Sequence, residues 1–232
     1  MFKKRGNMTM TKYHCDGHLT RLGYPLIAFL FRPLVRRLWI SEVHGLDNIP
    51  KTGPYVIALN HESYFDFICF TAAVNRRIHY LAAEKFFEHP FWKWVMRIMG
   101  AIRVDRFASF NKTTLHEITR VIERGQLVGI FPEGMRSPDG KLMKGKPGVA
   151  YLALHAGVPV IPVGLIGTYE IMSRADRYPR FRKAIVRIGK PLRFSGMKGA
   201  RPDTVQLTRI TDEIMEQIAV LAGEQYPHSS RI

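Results

Sequence analysis

Short apolar runs alternate with amphipathic stretches along most of this chain. Tyr55-Val-Ile-Ala-Leu59 is largely apolar and follows the breaker pair Gly53-Pro54, which predicts a buried strand. Gln126–Phe131 and Val158–Val163 read the same way, and Trp39–Gly45, Ile78–Ala82, Gly100–Arg106 and Ala184–Ile188 supply further strands. Val158–Val163 carries Pro159 and Pro162, which lack an N–H and so stand at positions that would make poor central-ladder donors. Between the strands, helices are predicted over Phe65–Val74, Pro90–Met99, Ser109–Arg124, Pro147–Ala156 and Thr204–Leu221. Ser109 and Asp203 stand as N-caps, and Gly125 and Gly157 close two of the helices. Strands alternating with helices predict an α/β fold: a mixed, mostly parallel sheet covered by helices.

The N-terminal region departs from this alternation. Residues 1–18 are polar and basic, a leader to which the pattern assigns no structure. Residues 19–38 combine apolar bulk, Tyr24 and several arginines, which suits a helix lying in a membrane interface and divided at Pro33. The alternative is an amphipathic helix packed on the domain's own core. Residues 39–232 then form a single domain.

Charge changes the picture more than composition does. The chain has 35 Lys plus Arg against 19 Asp plus Glu, a net +16, which calls for an anionic partner. Nucleic acid, an acidic membrane surface, a phosphorylated substrate and an acidic carrier all qualify. The basic residues are scattered and no basic run is interleaved with aromatics, which disfavours nucleic acid. Two cysteines, Cys15 and Cys69, form no disulfide framework or zinc spacing and suit a reducing, cytosol-facing location. No stretch reaches the roughly 20 apolar residues of a spanning helix.

Chemistry concentrates after Leu59, in Asn60-His61-Glu62-Ser63-Tyr64-Phe65-Asp66. Within one continuous helix, positions five apart are rotated by roughly 140° and cannot meet. With His61 in a strand-to-helix turn and Asp66 opening the helix, the carboxylate can hold one ring nitrogen and leave the other as a general base. The other reading is a cap histidine with an unrelated aspartate. Other signatures fail. His61-Glu62 begins a zinc-protease motif, but Phe65 stands where the second histidine belongs. Gly140–Lys146 nearly forms a phosphate loop, but Pro147 replaces its Ser/Thr. With no G-x-S-x-G elbow and no G-x-G-x-x-G, any hydroxyl His61 activates belongs to the substrate. Two further strand ends carry guanidinium groups: Gly100–Arg106, and Phe131-Pro-Glu-Gly-Met-Arg-Ser137. Brought together, they would give one rim a base and two phosphate-binding forks.

Four blocks in order, N-H-x4-D at Asn60–Asp66, G-x-I-x-x-D-R at Gly100–Arg106, F-P-E-G-x-R-S at Phe131–Ser137 and the proline-bearing strand Val158–Val163, span roughly residues 38–190. In them the chain resembles the glycerolipid acyltransferases, specifically the bacterial 1-acylglycerol-3-phosphate acyltransferases. The resemblance implies His61 as base and Asp66 as its orienting partner. It implies that Arg106, Glu133, Gly134 and Arg136 hold the glycerol phosphate of lysophosphatidic acid. It also implies a mixed-sheet α/β fold and an acyl thioester donor, acyl-CoA or acyl-carrier protein. Such chemistry requires no metal or redox cofactor, and residues 19–38 with the basic charge suit monotopic attachment to an anionic membrane surface on the cytoplasmic face. Met135 departs from the family's usual Thr, and Ala83 stands where many members have Lys, with Lys85 nearby. Other acceptors of the same chemistry therefore stay open: glycerol 3-phosphate, another lysophospholipid, an amino-lipid or a glycolipid. Phe65, Phe67, Phe86, Phe87 and Phe91 are candidates for an acyl-chain channel.

Overall fold

Strands buried on both faces dictate the centre of the molecule. The computed structural model describes residues 18–104, 110–194 and 203–229. The leader ahead of His18, Arg106 and Ser109 fall outside them. Seven strands form one sheet: β1 (Ile40–His44), β2 (Tyr55–Leu59), β3 (Ile78–Ala83), β4 (Ile102–Val104), β5 (Leu127–Ile130), β6 (Val160–Ile166) and β7 (Ala184–Ile188). Their order is β1-β7-β6-β2-β5-β3-β4. Every neighbouring pair is parallel except β6 with β7.

Strand alternation sends Ile57, Leu59, Ile161 and Val163 to one face, with α2 (Asp66–Ala73). Val56, Ala58, Val128 and Ile130 go to the other, against α4 (Lys112–Glu123), α5 (Gly148–Ala156) and α7 (Thr204–Ala222). At Gly164 a Cβ would lie 2.4 Å from backbone atoms of Leu221 and Ala222. Glycine there lets α7 lie directly on β6.

The strand with the prolines is central, between β7 and β2, and neither proline donates to a ladder. Pro162 contributes its carbonyl, which accepts from Gly189 N at 2.9 Å, and Pro159 stands ahead of the strand with its carbonyl accepting from Val56 N at 3.0 Å. Pro33 does not divide the N-terminal helix: α1 (His18–Trp39) runs through both Pro25 and Pro33. Both prolines lie on its exposed side, where water can reach the carbonyls they leave without an intrahelical donor. Asn111 caps α4, its side chain accepting from Thr114 N at 2.8 Å. Asp203 caps α7 as its position predicts, accepting from Gln206 N. Helix α1 buries Tyr24, Ala28 and Val35 and packs on α2 and on α3 (Pro90–Met99). Its opposite side exposes Leu26, Phe29, Leu30, Phe31 and Leu34. No helix among the described residues is long and apolar enough to cross a membrane.

Candidate active site

β2 and β5 are adjacent and parallel, so the turns after Leu59 and Ile130 leave the same edge of the sheet. In open α/β sheets, ligands bind at that carboxyl edge. Asn60, fully buried, pins the first turn to β6: its Oδ1 accepts from Leu165 N at 2.7 Å, and its Nδ2 donates to Leu165 O at 2.9 Å and to Glu62 Oε1 at 2.6 Å. Ser63 Oγ donates to Met172 O at 2.6 Å. A turn fastened at both points has little freedom to change shape.

The turn delivers His61 to Asp66. One oxygen, Asp66 Oδ2, accepts from His61 Nδ1, Glu62 N and Ser63 N, each at 2.8 Å. A carboxylate can only accept, so the imidazole proton sits on Nδ1 and Nε2 carries the free lone pair. Asp66 is fully buried, whereas the His61 side chain retains 17% exposure. Phe131 stacks beneath the imidazole, ring centroids 4.0 Å apart. The ring is held from below and from one edge, and its reactive nitrogen is left open.

The second turn stitches itself to the first. Glu133 Oε1 accepts from His61 N at 2.7 Å, its Oε2 accepts from Met143 N at 2.9 Å, and Ser137 N donates to His61 O at 2.7 Å. Glu133 is 2% exposed, and burial pushes its carboxyl up to about 8. Burial, reinforced by the nearby Asp66 charge, pushes Glu62 up to about 9. The resemblance puts Glu133 on the acceptor. In the structure both its oxygens are engaged by backbone N–H groups, and it stands behind the site rather than at its wall.

Gly134 has φ of 72°, and its N–H closes a turn onto Phe131 O at 3.0 Å. A Cβ there would come within 2.9 Å of Lys146 Nζ, so the ammonium lies hard against the glycine. Arg136 lies with its guanidinium carbon 3.4 Å above the centre of the Tyr64 ring. Its Nη1 is shut from bulk solvent and has no partner among the described residues.

A cavity of about 590 Å³ opens beside these groups. His61, Tyr64, Gly134, Arg136 and Lys146 form its polar part; Phe67, Tyr80, Phe86, Trp92, Met96, Met99 and Phe110 line the apolar part. Of the aromatic candidates, Phe67 and Phe86 reach it. Phe65 packs under Trp39 in the core, Phe87 is buried elsewhere, and Phe91 faces solvent. Val104, the last residue of β4, lines the wall just before the chain continues towards Arg106.

Ala83 lines the cavity, whereas Lys85 lies over the Phe86 ring and Met135 points outward, 41% exposed. The cation the sequence reading missed is Lys146. It closes the near phosphate-loop run, and its proximity to Gly134 depends on how the 131–146 segment folds back, with Lys146 N donating to Pro132 O at 2.9 Å. Among the described residues, no cluster of three His, Cys, Asp or Glu side chains is arranged to hold a metal.

Comparison with known proteins gives the chain a family and a fold relative. The Acyltransferase family model matches residues 40–166. A chloroplastic 1-acyl-sn-glycerol-3-phosphate acyltransferase of Brassica napus is 31% identical over 167 residues, 65% of this chain and 48% of that protein. The Pseudomonas aeruginosa 1-acyl-sn-glycerol-3-phosphate acyltransferase is 33% identical over 143 residues, 60% of this chain and 54% of its own length. The chain thus spans about half the length of these relatives. The crystal structure of the 1-acyl-sn-glycerophosphate (LPA) acyltransferase PlsC from Thermotoga maritima superposes with a TM-score of 0.67 at 24% identity, covering 85% of this chain and 80% of that one. That likeness is one of fold.

Proposed function

The chain belongs to the Acyltransferase family, and from that premise we propose that it moves a fatty acyl group from an acyl thioester to the free sn-2 hydroxyl of 1-acylglycerol 3-phosphate, giving phosphatidic acid. The observation that carries this reading is the His61–Asp66 pair, joined at 2.8 Å, with His61 in the wall of a largely apolar cavity also lined by Arg136, whose Nη1 has no partner among the described residues.

The acceptor hydroxyl hydrogen-bonds to His61 Nε2 and gives up its proton as its oxygen attacks the thioester carbonyl. Such general-base assistance is typically worth about 10²–10⁴-fold. Asp66 holds the ring in the required tautomer and stabilises the imidazolium that forms. As the tetrahedral intermediate collapses, the carbon–sulfur bond breaks and the imidazolium returns its proton to the leaving thiolate. The donor is acyl-CoA or acyl-carrier protein, and the reaction uses no metal or redox cofactor.

Arg136, Lys146 and Arg106 take the acceptor phosphate, the first two beside Gly134. Glu133 acts as a positioning residue through the His61 backbone. The acyl chain occupies the apolar part of the cavity. The exposed apolar side of α1, followed by Arg36 and Arg37, lies in one leaflet of an anionic membrane on its cytoplasmic face.

The test is direct: incubate the purified protein with lysophosphatidate and each thioester, and follow free thiol. Thiol release that requires lysophosphatidate supports the reading. Release only with another acceptor, or none with any, overturns it.

A further inference from the structure

Between α6 (Thr168–Ile171) and β7 the chain crosses the surface as Met172–Lys183, a segment the proposed reaction does not use. It carries Arg174, Arg177, Arg180, Arg182 and Lys183 against a single acid, Asp176. Asp176 is already committed, accepting from Arg180 Nη2 at 2.5 Å and from Ser173 N at 2.8 Å. Amid this charge Tyr178 is 69% exposed and Phe181 80% exposed.

The exposure does not come from a loose loop. Arg180 N donates to Ile171 O at 2.8 Å, Arg180 O accepts from Trp39 Nε1 at 3.1 Å, and Lys183 Nζ donates to Arg37 O. Phe181 stacks on Trp39, centroids 6.1 Å apart and rings nearly parallel. These contacts join the loop to the end of α1, where Arg36 and Arg37 are exposed and Leu34 is exposed just before them. At its other end, Met172 O receives the Ser63 hydroxyl of the catalytic turn.

We propose that the Met172–Lys183 loop is a second membrane contact, its arginines pairing with anionic lipid headgroups while Tyr178 and Phe181 sit at headgroup depth. Basic residues near an anionic surface each add attraction, and exposed aromatic rings favour the interface itself. An acidic carrier protein would also meet the arginines. The two exposed rings, one stacked on Trp39 at the end of α1, favour lipid. The contact adds to that of α1 and extends the membrane-bound footprint from one helix to a helix and a loop braced on its end, beside the active site.

The experiment measures partition of the full chain onto vesicles of phosphatidylcholine alone and of phosphatidylcholine mixed with phosphatidylglycerol. A triple variant, Arg174→Gln with Arg177→Gln and Arg182→Gln, leaves the bracing Arg180 in place. It is expected to bind the anionic vesicles about 100-fold more weakly at low salt, with little change on neutral ones. Tyr178→Ser with Phe181→Ser weakens partition on both vesicle types by roughly tenfold. Turnover on a short-chain acceptor dissolved below its micellar limit stays at the wild-type level in both variants, which separates loss of membrane contact from loss of chemistry. Unchanged partition in both variants overturns the proposal. So does unchanged partition together with a raised KM for acyl-carrier protein, which would assign the loop to a protein donor instead.

Discussion

Replacing Asp66 with Asn tests the chemical core of the site with almost no change in shape. The carboxylate oxygen Oδ2 collects three N–H donors, and Oδ1 is buried with no partner among the described residues. In the variant, the amide oxygen can keep the three donors only if its NH2 takes the Oδ1 position. Hydrogen bonds to a charged acceptor are worth about 1.5–3 kcal/mol and to a neutral one about 0.5–1.5, so three weakened bonds lose about 3 kcal/mol together. Burying the unpaired amide adds about 1–3 kcal/mol. A domain stable by about 5–15 kcal/mol can absorb such a loss, so the variant is expected to fold with a lowered melting temperature. Its turnover loses the stabilised imidazolium, and kcat is expected to fall by about 10²–10⁴-fold.

Circular dichroism establishes the fold, and thiol release under saturating substrates reads kcat. The companion is the double variant with His61→Ala, which should be no slower than His61→Ala alone, because Asp66 acts only through the imidazole. Wild-type kcat in folded Asp66→Asn refutes the reasoning. So does a double variant whose loss is the product of the two single losses.

Further outcomes follow from the neighbouring geometry. Arg136→Ala should raise KM for lysophosphatidate about 10–100-fold with kcat nearly unchanged, from the loss of a charge-assisted contact, and Arg136→Lys should restore only part of it; an unchanged KM in steady-state kinetics removes Arg136 from the phosphate site. Gly164→Ala places a Cβ 2.4 Å from the α7 backbone, so urea unfolding should show about 1–3 kcal/mol lost; a wild-type midpoint would contradict that contact. Glu62 titrates near 9 in the fold, above its unfolded value, so the folded state holds the extra proton between those two values. Its contribution is full at acid pH and is lost as pH rises through about 9, by at most about 1.4 kcal/mol per pH unit. The stability of wild type relative to Glu62→Gln should therefore fall from pH 5 to pH 9, and a flat difference in melting temperature would refute the assignment. On α1, Phe29→Ser with Leu30→Ser should weaken vesicle flotation tenfold or more without lowering the melting temperature, since both side chains face solvent.

Much of the sheet was legible because parallel strands buried on both faces read as unbroken apolar runs, as in Tyr55–Leu59 and Gln126–Phe131. Strand order was not, since nothing local to Val158–Val163 says that Pro162 can sit centrally when its carbonyl alone meets Gly189. Pro33 misled for a related reason: packing of α1 on two other helices outweighs one missing intrahelical bond. Within the site, spacing left the His61–Asp66 meeting as one of two readings, and the resemblance carried by four blocks in order chose the one the structure holds at 2.8 Å. The placement of Glu133 was not legible. The resemblance alone put that carboxylate on the acceptor, and only the β2–β5 pairing turns it toward the His61 N–H. Lys146 was hidden similarly, since a chain reversal rather than a motif carries it to Gly134.

The mutual anchoring of the two turns has an implication for how this scaffold can diversify. His61 is gripped on its amide by Glu133 and on its carbonyl by Ser137, so on the proposed reading the loop that takes the headgroup also sets the aim of the base. Alterations that reshape headgroup choice inside Phe131–Ser137 therefore tilt the imidazole and erode turnover. Cavity walls such as Ala83, Met96 and Met99 have no such tie to either turn among the described residues, and on the same reading fatty-chain preference can drift there without disturbing catalysis.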